Sequence, residues 1–152
     1  MLKKILVTAS ILAILSGCAS KKKQDIETEG LDSINAELEK QSIDKVYFAF
    51  DSSDLSSSDL DTLKKQTVLL QKYQDIKVEV EGHCDSRGTR EYNLALGERR
   101  ANSVKKYLVQ VAGVNGERIG TVSYGKERPV ALGDNEESWS LNRRGVTVVV
   151  GK

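Results

Sequence analysis

Residues Ile76–Glu81 alternate apolar and charged side chains without a break, Ile-Lys-Val-Glu-Val-Glu. That period fits a strand with one buried face, so Ile76, Val78 and Val80 are expected inward. The flanking segments keep the other period. Ser56–Ser58, with Asp59 and Asp61 behind them, supply an N-cap and first-turn acids for a helix to about Tyr73. Its expected buried stripe is Leu60, Leu63, Thr67, Leu70 and Tyr73. Glu91 to about Ala112 is a second helix, with Leu94, Ala101, Val104, Leu108 and Val111 at helical spacing and Gly113 beyond its end. Val46–Phe50 is β-rich and stops at the turn cluster Asp51–Ser53, and Ile119–Tyr124 is a third strand. Gly145–Val150 is apolar nearly throughout, as a central strand would be. The polar crossover 125–144 is expected to hold a short helical turn around Trp139. The order β-α-β-α-β-β predicts an α+β two-layer sandwich, with two main helices on one face of a four-stranded mixed sheet.

Ahead of this domain, Lys3 and Lys4 precede the apolar run Ile5–Leu15, then Ser16-Gly17-Cys18. A charged head, a short apolar run and a small-residue end describe a secretory signal over 1–17, and the run is too short to span a bilayer. Leu15-Ser16-Gly17-Cys18 resembles the lipobox of bacterial lipoproteins. That resemblance implies cleavage before Cys18, a diacylglycerol on its thiol and an acyl chain on its new amino group. Ala19 follows, where an Asp would signal inner-membrane retention, so the outer membrane is expected. Residues 18–43 are expected as a flexible tether and 44–152 as the folded domain. Leu31, Ile34 and Leu38 allow a short helix in the tether, marginal by itself. Lys21–Lys23 would either meet anionic headgroups or simply stay solvated.

Without residues 1–17 the formal charge moves from +1 to −1. A near-neutral chain with 30% charged residues carries no nucleic-acid signal. Lipidation of Cys18 leaves Cys84 without a partner, so no disulfide is expected.

The segment Gly82–Asn93 joins the second strand to the second helix, a place where free N–H groups favour anions. Asn93, Leu96 and Arg100 fall on one strip of that helix beneath the loop carrying Asp85, whereas Arg99 is rotated toward solvent. An acid and an arginine meeting at one mouth have two readings. One is a structural ion pair between Asp85 and Arg100. The other is a clamp for a zwitterion, with Asp85 accepting from an ammonium and Arg100 forking onto a carboxylate.

Four motifs resemble the OmpA-like peptidoglycan-binding domain family, together covering about Lys45 to Val150. They are Val46-Tyr47-Phe48-x-Phe50-Asp51, the long Gly82-His83-x-Asp85…Arg100-Ala101 segment, Val122-Ser123-Tyr124-Gly125-Lys126 and Asn142-Arg143-Arg144. The resemblance implies that Asp85 and Arg100 hold the free amino-acid end of meso-diaminopimelate in the cell-wall stem peptide. Phe50, Asp51 and Leu96 then line the same pocket, with Asn93 on the same strip. With the lipobox it also implies an outer-membrane lipoprotein that works with TolB and the other Tol proteins, TolB using a surface that overlaps the wall site. Ala49 and Cys84 depart from the family's commonest pattern. Ala49 is expected to weaken a polar contact at the pocket edge, and Cys84 to be neutral.

His83-Cys84-Asp85 raises catalysis or metal binding, but consecutive extended residues face opposite ways and do not converge. No other histidine is present, so neither an enzyme, a cofactor nor a metal site is expected. His83 is expected as a satisfied structural residue at the pocket edge. Arg143 and Arg144 are expected in an ion pair at the start of the last strand, and Trp139 as packing for the crossover.

Overall fold

The computed structural model describes residues 30–152. The signal segment 1–17, Cys18 and the first part of the expected tether lie outside the described residues. A helix over 30–40 (α1) comes first. It is followed by β1 (Lys45–Tyr47), α2 (Ser57–Lys72), β2 (Lys77–His83), α3 (Arg90–Gln110), a 3-10 turn at Gly116–Arg118, β3 (Ile119–Gly125), α4 (Glu136–Asn142) and β4 (Arg144–Gly151). The strands form one mixed sheet in the order β1-β4-β2-β3, with β4 central as its apolar run requires. β2 runs parallel to β3, and β4 is antiparallel to both its neighbours.

Local chemistry explains the element ends. Ser56 caps α2, and its partner Asp59 returns a bond to the Ser56 backbone, a reciprocal capping box. Thr89 and Asn135 cap α3 and α4 in the simpler way. Ile76, Val78 and Val80 are fully buried, together with Leu63 and Leu70 of α2 and Ala101, Val104 and Leu108 of α3. Three stripe assignments need correction, one of them Leu94 of α3, which is only partly buried. Val111 is exposed because α3 ends at Gln110, and Leu69 and Gln66 replace Leu60 on the buried face of α2.

The folded region also begins earlier than 44. β1 is only three residues long and covers β4 no further than Val146. Past it, Asn35 of α1 accepts from the Val149 N–H at 2.8 Å and donates to its carbonyl at 3.1 Å. Ile34 and Leu38 of the same helix are buried in the core. A helix too short to persist alone is thus held by one apolar face and an edge-capping side chain.

Glycines set the distance between α3 and the sheet. A Cβ at Gly82 would lie 1.8 Å from the carbonyl oxygen of Gly97, so helix and strand touch backbone to backbone. Arg100, three residues further along α3, is thereby delivered to the end of β2.

Candidate functional site

β2 loses its register with β3 at Gly82/His83, and the chain leaves the sheet there. Gly88 takes a left-handed conformation, φ 88°, and the Asn93 amide donates to the carbonyls of Arg87 (2.7 Å) and Thr89 (2.9 Å). These bonds staple the 84–89 loop over the first turn of α3. The mouth so formed is a cavity of about 160 Å³. Phe50 and Asp51 enter it from the turn after β1, Cys84, Asp85, Arg87 and Gly88 from the loop, and Tyr92, Asn93, Leu96 and Arg100 from α3. All six residues expected in the ligand site line this one cavity. Asp51, at φ 55°, accepts a hydrogen bond from the Tyr92 hydroxyl and ties the β1 turn to α3.

Arg100 is 0% exposed. Its Nε donates to Ser52 O at 2.8 Å, Nη1 to His83 O at 2.8 Å and Nη2 to Ala49 O at 3.0 Å. A guanidinium has five N–H groups, so these carbonyls leave one on each terminal nitrogen, with the Cys84 thiol beside them. Among the described residues no carboxylate pairs with it, and burial pulls its pKa below the ordinary arginine value, with Cys84 and Asp85 opposing. The Asp85–Arg100 ion pair is therefore not formed. Ala49, expected to matter through its missing acid, takes part through its carbonyl.

Asp85, 4% exposed, has other partners. Arg87 donates to it through its backbone N–H (3.1 Å), Nε (3.2 Å) and Nη2 (2.6 Å), and Arg143 Nη1 stands at 3.4 Å. Burial works against its ionisation, but the Arg87 and Arg143 bonds outweigh it and hold the carboxyl below the ordinary aspartate value. Arg143 also pairs with Glu136 and donates to Phe48 O at 2.9 Å, so the expected ion pair at the start of β4 exists and reaches into the site. Arg144 has no such pair, donating only to the carbonyls of Asn142 and Arg128. Trp139 does pack the crossover, with its indole N–H on Ser86 Oγ at 3.0 Å and its ring on the Arg87 guanidinium.

The residues missed were Arg87 and Arg143. Arg87, two positions after Asp85, was the available signal; nothing local in the sequence marks Arg143, 58 residues away, as a partner of Asp85.

His83 and Cys84 turn to opposite sides, as alternation requires, but Cys84 and Asp85 share the cavity because the strand has ended. The Cys84 thiol donates to Asn93 O at 3.3 Å, and burial pushes its pKa up, away from thiolate reactivity. Among the described residues no cluster of metal-ligating side chains occurs. His83 is buried outside the cavity with Nε2 beside Glu81 at 3.2 Å, and its Nδ1 has no partner, so it is only half satisfied.

Burial, aided by Arg144 and Arg128, drives the His83 pKa down to about 3. The unfolded chain takes up this proton near 6.5 and the folded chain near 3. The stabilisation is therefore complete above about pH 6.5 and lost as pH falls toward 3. Roughly 2 kcal/mol should disappear between pH 7 and pH 5. Urea midpoints at the two pH values check this; His83→Gln should flatten the difference, and an unchanged wild-type midpoint would contradict it.

The sequence pattern of the OmpA family matches residues 47–143. The peptidoglycan-associated lipoprotein of Rhizobium meliloti is 41% identical over 155 aligned positions, covering 97% of this chain and 88% of that protein. The protein of the same name from Pseudomonas aeruginosa is 42% identical, covering 93% of each. The crystal structure of the peptidoglycan-associated lipoprotein from Burkholderia pseudomallei superposes with a TM-score of 0.67 at 40% identity, covering 70% of this chain and 89% of that one.

Proposed function

The chain belongs to the OmpA family, and from that premise we propose that it is an outer-membrane lipoprotein holding the cell wall non-covalently, without catalysis. In this reading the free amino-acid end of meso-diaminopimelate enters the cavity, its carboxylate on Arg100 and its ammonium on Asp85. One observation carries the reading. Arg100 is a fully buried cation in a cavity wall, held by three backbone carbonyls with the Cys84 thiol beside it, and it has no carboxylate of its own. A buried charge left in that state favours a ligand that brings the missing anion.

The position of the chain's entry into the fold supports a bridging role. Gly30 stands beside Lys152, past the end of β4, whereas β4 starts at Arg144 next to the site. Eight residues of strand separate those ends by roughly 25 Å. The dozen residues from Cys18 to α1 reach at most about 40 Å. An acylated Cys18 would thus tether the domain at the pole away from its mouth, which then faces the wall. The function in envelope integrity and cell division, together with the Tol proteins, follows for this chain from the same family reading.

A second reading, that the main ligand is the periplasmic protein TolB, draws on apolar surface around the mouth. Phe50 is 61% exposed, and Tyr92, Val130 and Leu132 are exposed as well. The segment bearing the last two is bound to the loop through Ser86–Asp134 and Lys126–Gly88 hydrogen bonds. Such a rim suits a protein partner. Both readings are tested by retaining the chain from Ala19 onward on purified sacculi. Free diaminopimelate should release it, and TolB should compete for the same surface. Retention unaffected by diaminopimelate would reject the wall reading.

A further inference from the structure

We infer that the Arg87 side chain is a built-in competitor for the ligand's ammonium, covering Asp85 until a ligand displaces it. The inference rests on the zwitterion reading of the site and extends it. A carboxylate offers about four lone-pair directions. On Asp85, Oδ1 accepts the Arg87 backbone N–H and Nε, while Oδ2 accepts Arg87 Nη2 and Arg143 Nη1. No direction is left for an incoming ammonium.

Of these donors only one side chain is free to leave. The Arg143 side chain is 8% exposed and is held at its other nitrogens by Phe48 O and Glu136. The Arg87 backbone is fixed by the Asn93 bond to its carbonyl. The Arg87 side chain is 31% exposed. Its guanidinium lies 3.9 Å from the Phe50 ring centre and 4.0 Å from that of Trp139, a cation held between two π faces. Withdrawal past the exposed Phe50 ring would free one direction on each oxygen of Asp85 and leave the aromatic slot to the ligand's cation.

Arg87 thereby holds down the affinity for an ammonium-bearing ligand while leaving the Arg100 contact untouched. A ligand with a carboxylate alone gains Arg100 but meets a covered Asp85; one with an ammonium as well can replace the guanidinium. Apparent affinity is scaled by the fraction of molecules in which Asp85 is uncovered.

Trp139, the chain's one tryptophan, reports the displacement directly. The full chain in detergent is titrated with meso-diaminopimelate while calorimetry and tryptophan emission are followed together. In the wild type, emission should change in step with occupancy, and diaminopimelate acetylated on both amines should produce no change. Arg87→Met should bind diaminopimelate about three- to tenfold more tightly. Arg87→Lys, which keeps the charge without the planar fork, should fall between them. If the wild type binds and Arg87→Met binds equally or more weakly, Arg87 is no competitor and the inference fails. If the wild type itself does not bind, the zwitterion reading fails first and takes the inference with it.

Discussion

Asp85→Asn is expected to weaken binding of diaminopimelate about ten- to a hundredfold with the domain still folded, because the ammonium loses a charged acceptor. The lower end of that range is favoured. Once the Asp85 charge is gone Arg87 has less reason to stay, so part of the competition vanishes with the contact. Arg100→Lys should lose a comparable factor, since an ammonium keeps the charge without the two-pronged fork. Its second effect sets it apart. Ser52, His83 and Ala49 would lose the donor their carbonyls now share, and a buried carbonyl left unpaired costs about 1–3 kcal/mol. Arg100→Lys should therefore lower the melting temperature as well, whereas Arg99→Lys, on the solvent side of α3, should change neither quantity. Calorimetric titrations beside thermal melts separate the cases. Equal losses from Arg99 and Arg100, or Asp85→Asn binding that declines only as the domain unfolds, would defeat the clamp.

The double role of Arg100 marks the limit of what periodicity conveys. Helical spacing placed Asn93, Leu96 and Arg100 on one strip, and all three line one cavity. The apolar run of Gly145–Val150 gave a central strand. Both follow from properties local to a few residues. What stayed hidden depends on chain segments brought together from afar. Arg100 is held by carbonyls 48 and 51 residues earlier, and Asp85 meets Arg143 from the far side of the crossover. Similarly, α1 is marginal by its own composition and becomes part of the domain through core burial of Ile34 and Leu38 and through the bonds of Asn35 to Val149, 114 residues on. A helix of that kind carries no local signal strong enough to move the boundary from 44 back toward 30. The loop itself also misled. Alternation through His83-Cys84-Asp85 was sound for the strand, but β2 ends at His83, after which successive side chains can share a face.

Cys18→Ser is expected to empty the outer-membrane pool of this protein almost completely. Among the described residues no helix is long and apolar enough to cross a membrane, so in the lipoprotein reading the acyl chains are the firm attachment. One acyl chain binds only weakly and reversibly, while two or more hold stably; each added methylene contributes about 0.8 kcal/mol. Serine offers no thiol for the diacylglycerol, so neither this modification nor the cleavage that follows it should occur. The product should then be either an uncleaved precursor held by the apolar run Ile5–Leu15 at the inner membrane or a soluble form, and neither belongs in the outer membrane. Wall binding should survive, because the proposed clamp is built from residues of the folded domain and needs no acyl chain. The two attachments must be scored separately, since a protein bound to sacculi sediments with envelopes whether or not it is acylated. Digesting the wall before fractionation removes that ambiguity. After digestion the wild type should remain with outer membranes and the Ser variant should not; outer-membrane recovery of the variant within twofold of wild type would mean that Cys18 is not the anchor.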